Sequence, residues 1–203
     1  MNPDRIVESG YDKIYALYHA RRVRRFWSIG QDLGDFAKLL PKGGAVLDAG
    51  CGSGYIASIL ERRGFEVTGI DVSRKMLGLA RKNASKSRFI RMDMRRLEFP
   101  RRSFDGVICL YSIIHIPRRF HRRVLRGFWR ILKPGGVLAI HMGWTGYVGV
   151  EENYLGSRAT MYWSMFGKET NLAMLREVGF DAISSKPSIQ KDGTHLFVLA
   201  RKQ

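Results

Sequence analysis

Cysteine is scarce in this chain. Cys51 and Cys109 are the only two, far apart and in no metal-ligand spacing. That count suits a reducing cytoplasm better than an oxidising compartment, and no metal site is expected. Long apolar runs are missing too, so no membrane span is predicted. The opening residues Met1-Asn2-Pro3-Asp4-Arg5 lack the apolar stretch of a signal peptide, and a cytoplasmic location is the expectation. No internal repeat or low-complexity linker interrupts the sequence. Acidic residues are in deficit: 35 Lys+Arg stand against 18 Asp+Glu, a net charge of +17.

The excess is uneven. Residues 1–130 hold 27 Lys+Arg against 12 Asp+Glu, and residues 131–203 hold 8 against 6. A field of this sign attracts nucleic acid or acidic ligands. The arginines, however, come as scattered pairs, among them Arg21-Arg22, Arg62-Arg63 and Arg122-Arg123. Scattered pairs read as a solvated surface style rather than one footprint. A content of 45% hydrophobic residues is too high for a disordered chain and sufficient for a core.

Length and pattern fit one α/β domain over 1–203. Residues 6–40 read as helices preceding a sheet, so 1–40 forms a helical cap. Strands are predicted at 45–48, 65–71, 88–92, 104–111 and 137–142, and helices at 55–63, 73–83 and 118–132. Ser73 caps the second of these helices. Lys133-Pro134-Gly135-Gly136 is a predicted turn. This alternation argues for a doubly wound parallel sheet. Residues 143–166, rich in Gly, Tyr and Trp with weak periodicity, read as a loop or short helical insert, an aromatic lid. A helix over 168–178 ends at Gly179. Strands at 180–185 and 195–200, joined around Lys191-Asp192-Gly193, close the sheet as a hairpin.

In such sheets ligands bind at the carboxyl ends of the strands, at the switch point. The loop Gly50-Cys51-Gly52-Ser53-Gly54 falls there. Its glycines let a ligand lie against backbone, and the following helix offers free N–H groups. Dinucleotide sites prefer Gly-x-Gly-x-x-Gly. Here the third glycine comes one position early, and Tyr55 takes the dinucleotide position. Asp48 just before the loop would repel a pyrophosphate and attract an ammonium. The ligand therefore reads as a nucleoside carrying an amino acid. Asp71, 17 residues beyond Gly54, suits ribose hydroxyls. Asp93 suits an adenine amino group.

Val46-Leu47-Asp48-Ala49-Gly50-Cys51-Gly52-Ser53-Gly54, Gly69-Ile70-Asp71-Val72-Ser73, Met92-Asp93-Met94, Phe104-Asp105 and Leu132-Lys133-Pro134-Gly135-Gly136 resemble the ordered motifs of class I S-adenosylmethionine-dependent methyltransferases. The resemblance covers roughly residues 40–140. It implies a Rossmann-like seven-stranded sheet, mostly parallel with an antiparallel C-terminal strand, and S-adenosylmethionine as cofactor, leaving S-adenosylhomocysteine as product. It also implies that Gly50, Cys51, Gly52 and Gly54 line the amino acid end and that Asp48 supports the ammonium. Asp71 would bind ribose, Val72 and Met76 would flank adenine, and Asp93 with Met94 would read its edge. Cys109 and Leu110 would contact the methionine backbone. Tyr18, at helical spacing with Tyr11 and Tyr15, would close over the cofactor, or all three would pack as an amphipathic face.

A sulfonium is already a good electrophile, so the protein mainly aligns the nucleophile and excludes water. His115 is the candidate general base and Tyr111 its neighbour, with a packing or capping histidine beside Pro117 as the alternative. Both are also candidate acceptor contacts, as are Trp144, Tyr162 and Trp163. No Asn/Asp-Pro-Pro-Tyr/Phe segment follows strand four. Neither cysteine sits in a nucleophile context, and no Lys-Asp-Lys-Glu set is evident. These absences favour a small-molecule acceptor. RNA is the alternative partner, on the net charge and on six arginines at 118–130 interleaved with Phe120, Phe128 and Trp129.

Overall fold

The computed structural model describes residues 3–25, 29–190 and 193–203. Helices α1 (Pro3–Arg25) and α2 (Ile29–Lys38) precede a doubly wound unit: β1 (Ala45–Ala49), α3 (Tyr55–Arg62), β2 (Glu66–Asp71), α4 (Arg74–Asn83), β3 (Arg88–Arg91), β4 (Phe104–Cys109), α5 (His121–Ile131) and β5 (Leu132–Gly143). There follow β6 (Tyr147–Glu151), β7 (Met161–Met165), α6 (Lys168–Val178), β8 (Phe180–Gln190) and β9 (Gly193–Lys202).

Seven strands form one sheet in the order β3-β2-β1-β4-β5-β9-β8. All neighbours are parallel except β9, which runs antiparallel to both β5 and β8. The expected mostly parallel sheet with an antiparallel last strand is therefore what the chain adopts. Central strands are apolar on both faces, as burial under helices on both sides requires. In β1, Val46, Leu47 and Ala49 are fully buried. Strand order reverses between β1 and β4, which places a crevice at their carboxyl ends. Ser73 caps α4 as the sequence predicts, its hydroxyl accepting from Met76 N–H at 3.1 Å.

Three expectations need correction. Residues 143–166 are not a plain loop or helical insert: β6 and β7 pair as a two-stranded antiparallel sheet. Both faces of β6 are mostly exposed, so no alternation of apolar and polar residues betrays it. The Lys133-Pro134-Gly135-Gly136 segment is an irregularity inside β5, where the register against β4 jumps from Phe104↔Leu132 to Gly106↔Val137. The closing strands are longer than predicted, because their outer ends pair with each other beyond the helix-covered core. Of the turn between them, Lys191 and Asp192 lie outside the described residues. Among the described residues, no helix is long and apolar enough to cross a membrane.

Candidate active site

Backbone bonds fix the loop after β1 before any side chain contributes. The Gly50 and Cys51 amides both donate to the Ile70 carbonyl, at 2.8 and 2.9 Å. Gly54, at φ +75, precedes α3, and a Cβ there would lie 2.7 Å from Ala80 Cα. This glycine serves the close approach of α4 rather than the wall of the crevice. A Cβ at Gly52 would meet nothing within 4 Å, so that backbone borders open space. Gly52 N–H donates to Asp71 Oδ2 and Ser73 N–H to Asp71 Oδ1, each at 2.9 Å. Burial pushes the Asp71 carboxyl up, against the pull of these amides. Each oxygen retains a lone pair for another donor.

Asp48 is 3% exposed, and its Oδ2 has no hydrogen-bond partner. Burial, and then the nearby Asp71, push its carboxyl up to about 7. A buried oxygen left unsatisfied is costly unless a donor arrives. Burial raises both thiols as well, Cys109 to about 12, which removes the thiolate a nucleophilic role requires. Desolvation pushes the Asp93 carboxyl up, but hydrogen bonds from Arg95 outweigh it and hold the group below the usual range. Arg95 Nε lies 3.0 and 2.8 Å from the two Asp93 oxygens. Any adenine amino group would share Asp93 with that guanidinium.

Tyr18, Gly50, Gly52, Asp71, Val72, Met76, Asp93, Met94, Tyr111 and His115 line one crevice. Asp48, Cys51, Gly54, Cys109 and Leu110 are not among its lining residues: Asp48 is buried near the end of β1, Cys51, Cys109 and Leu110 pack with the main core, and Gly54 lies against α4. Tyr11 and Tyr18 of α1 lie over this crevice and leave a free volume of about 80 Å³.

Helix α1 is held by polar contacts and by a small apolar cluster. Glu8 pairs with Arg91 at 2.6 Å, Ser73 Oγ donates to Asp12 at 2.5 Å, and His19 Nδ1 lies 3.0 Å from Ser53 Oγ. Ile14, with Tyr11 and Tyr18 beside it, packs on Ala159 and Met161, and Ile6 is buried as well. An element attached through a small satellite cluster, outside the main core, belongs to the readily opened part of a fold. Its closest approach is at Gly10, where a Cβ would lie 2.6 Å from the Thr160 carbonyl. Gly10→Val should lift α1 without touching the crevice. Limited trypsin digestion should then cut α1 at least about fivefold faster. An unchanged cleavage rate would refute this account of docking.

His115 sits under α1, 6% exposed. Its Nδ1 is 2.8 Å from the Tyr162 carbonyl oxygen, which can only accept, so Nδ1 carries the hydrogen. In the neutral ring Nε2 is then the acceptor, and Tyr11 Oη, at 2.8 Å, donates to it. Tyr111, two residues beyond β4, sits at φ +54, a left-handed conformation that costs a bulky residue about 1–2 kcal/mol. Its hydroxyl is 3.1 Å from Ser188 Oγ, and its ring lies tilted against His141 with centroids 4.1 Å apart.

Residues 46–136 match the family described as a methyltransferase domain. A Diels-Alderase of Talaromyces variabilis, described as S-adenosyl-L-methionine-dependent, is 38% identical over 50% of this chain and 37% of its own length. A demethylmenaquinone methyltransferase of Thermotoga maritima is 40% identical over 47% of this chain and 42% of its own. This chain thus spans about two fifths of each of these relatives. The crystal structure of a Burkholderia thailandensis 1,6-didemethyltoxoflavin-N1-methyltransferase, with bound 1,6-didemethyltoxoflavin and S-adenosylhomocysteine, superimposes with a TM-score of 0.78. It is 20% identical and covers all of this chain, which covers 91% of it.

Over residues 46–136 the chain resembles the class I S-adenosylmethionine-dependent methyltransferases.

The residues of the crevice fit S-adenosylmethionine, the cofactor that the resemblance implies. The unsatisfied Asp48 oxygen calls for an ammonium, and the open space before Gly52 admits a chain lying on the backbone. Asp71 is already oriented by two amides with acceptor capacity to spare.

A second, larger cavity of about 720 Å³ adjoins the crevice and shares Tyr11, Tyr18, Tyr111 and His115 with it. Of the expected acceptor contacts, Trp163 lines this cavity beside Tyr111 and His115, whereas Trp144 and Tyr162 do not. The physical reason for Tyr162 is strand alternation. Trp163 and Met165 of β7 face the cavity, and Tyr162 offers only its carbonyl to His115. Trp144 packs on the main core with Lys168 over its ring, 5.2 Å from the centroid. Tyr147, within the expected aromatic lid, lines the cavity too, whereas sequence reasoning missed Glu151, Tyr154 and His195. Tyr154 was signalled only by the aromatic richness of its segment, and Glu151 and His195 by nothing local. Of the aromatics among the arginines of 118–130, Phe128 is fully buried, Trp129 packs on the core with Lys202 over its ring at 3.9 Å, and Phe120 is half-buried with Arg95 and Arg119 over its ring at 5.2 and 4.8 Å.

Proposed function

We propose that this chain transfers the methyl group of S-adenosylmethionine to a small-molecule acceptor by in-line displacement. The observation that carries this reading is the wall shared by the two cavities. His115 and Tyr111 border both, so a donor in one and an acceptor in the other meet at those side chains.

Bound S-adenosylmethionine supplies a methyl group on a sulfonium, whose departure leaves a neutral thioether. The protein does the rest. Asp48 pairs with the ammonium, Asp71 accepts from ribose hydroxyls, and Val72 and Met76 flank adenine, with Asp93 and Met94 at its edge. Gly52 keeps the path of the amino acid portion clear, while the bareness of Gly50 makes room for Ser112. Tyr18 and Tyr11 cover the crevice and exclude water. His115, its tautomer set by the Tyr162 carbonyl, presents Nε2 as the proton acceptor and Tyr11 as the hydroxyl that reaches it.

The test has two parts. Calorimetry should show S-adenosylhomocysteine binding and no heat with NAD. Methyl-labelled S-adenosylmethionine, incubated with protein and a cell extract, should label the small-molecule fraction. Label in the RNA fraction would move the acceptor to RNA. S-adenosylhomocysteine binding without any transferred label would favour a cofactor-assisted reaction of the kind named for the Talaromyces relative. Absence of S-adenosylhomocysteine binding would overturn the reading altogether.

A further inference from the structure

We propose that the acceptor is an amine, held in the larger cavity as the cation it is or becomes. This rests on the methyl-transfer reading above and narrows it to a substrate class.

Charge distribution is the first argument. The chain has 35 Lys+Arg, yet among the described residues lining the cavity there is no Lys or Arg. The single carboxylate there is Glu151. With no Lys or Arg among the described lining residues of a cavity of about 720 Å³, an anionic acceptor finds only hydroxyl and imidazole donors there and no permanent cation. A cationic one finds Glu151. The size falls within the usual range for small-molecule sites.

The walls are the second argument. Tyr154 meets Trp163 edge-on at 5.6 Å and 73°, and Tyr11 meets Tyr18 at 5.3 Å and 86°. Rings set nearly at right angles form corners, and aromatic corners are the usual way proteins hold ammonium groups. Trp163 Nε1 donates to Glu151 Oε2 at 3.0 Å. The carboxylate is thereby fixed to one wall and the indole is held in place.

The chemistry is the third. An amine bound as its ammonium first passes a proton to the Tyr11 oxygen as the Tyr11 proton passes to His115 Nε2. The freed lone pair forms the new N–C bond, and the C–S bond breaks with its pair returning to sulfur. Positive charge moves from sulfur to nitrogen, beside the aromatic walls and Glu151. A site that favours charge where it develops stabilises the transition state and not only the substrate.

Choline, its neutral isostere 3,3-dimethyl-1-butanol and the anion 3,3-dimethylbutyrate separate these terms by charge at nearly constant shape. Titrated by calorimetry into the S-adenosylhomocysteine-loaded protein, choline should bind about tenfold more tightly than the alcohol, and the anion most weakly. Glu151→Gln should cut that preference at least about threefold with S-adenosylhomocysteine affinity unchanged. Equal affinities, tightest binding of the anion or no binding of any probe would overturn the amine assignment while leaving methyl transfer standing. A preference that survives Glu151→Gln intact would overturn the role of the carboxylate. Failure of the wild type to bind S-adenosylhomocysteine would overturn both readings.

Discussion

Asn in place of Asp48 should flatten the pH dependence of cofactor binding. In the wild type only the ionised carboxylate attracts an ammonium, and burial and Asp71 push that group up to about 7. Affinity for S-adenosylhomocysteine should therefore rise roughly tenfold from about pH 6 to about pH 8. Asp48→Asn should show little of this rise and bind about 10–100-fold more weakly at the upper end. Stability of the free protein should run the other way. A carboxyl whose folded pKa is raised holds its proton more tightly when folded. Its contribution is complete below about pH 4 and is lost as pH climbs toward about 7. The interval from 3.8 to about 7 corresponds to about 4 kcal/mol. Asp48→Asn should remove that loss. Calorimetry across the range, with melting curves of the free protein, checks both halves. A rise in affinity that persists unchanged in the variant would exclude Asp48 as the ammonium's partner.

The second large effect is expected at His115. Removing a general base lowers turnover by about 10²–10⁴-fold. His115→Asn is the informative change: the amide can still donate to the Tyr162 carbonyl, in place of Nδ1, but nothing replaces Nε2. Turnover should fall by that factor while affinity for S-adenosylhomocysteine changes less than about threefold. Tyr11→Phe, which keeps the ring and removes the hydroxyl bonded to Nε2, should show a smaller fall in the same parameter. Full turnover in His115→Asn at saturating acceptor would assign the ring to packing.

The parallel half of the fold was legible because each strand end there carries its own punctuation. Asp48 stands near the end of β1 with the glycines after it, Asp71 ends β2 with Ser73 after it, and Asp93 follows β3. Each acts within a few residues of its own element or on the neighbouring loop. The acceptor side is assembled from distant pieces. Tyr11 and His115 are 104 residues apart in sequence, and no local pattern announces such a pair. Tyr147, Glu151 and Trp163 meet because β6 and β7 pair, in a hairpin whose exposed faces erase the usual alternation. The choice between Tyr162 and Trp163 is one of strand parity, which a segment taken for a loop does not have. Gly54 illustrates the converse. Its spacing pointed to the ligand, but its bareness serves Ala80.

Tyr11 and Tyr18 border both cavities, so one helix forms the partition between the donor compartment and the acceptor compartment. On the proposed reading, donor and acceptor would lie beneath the same two phenol rings, and a displacement of α1 would open both spaces at once.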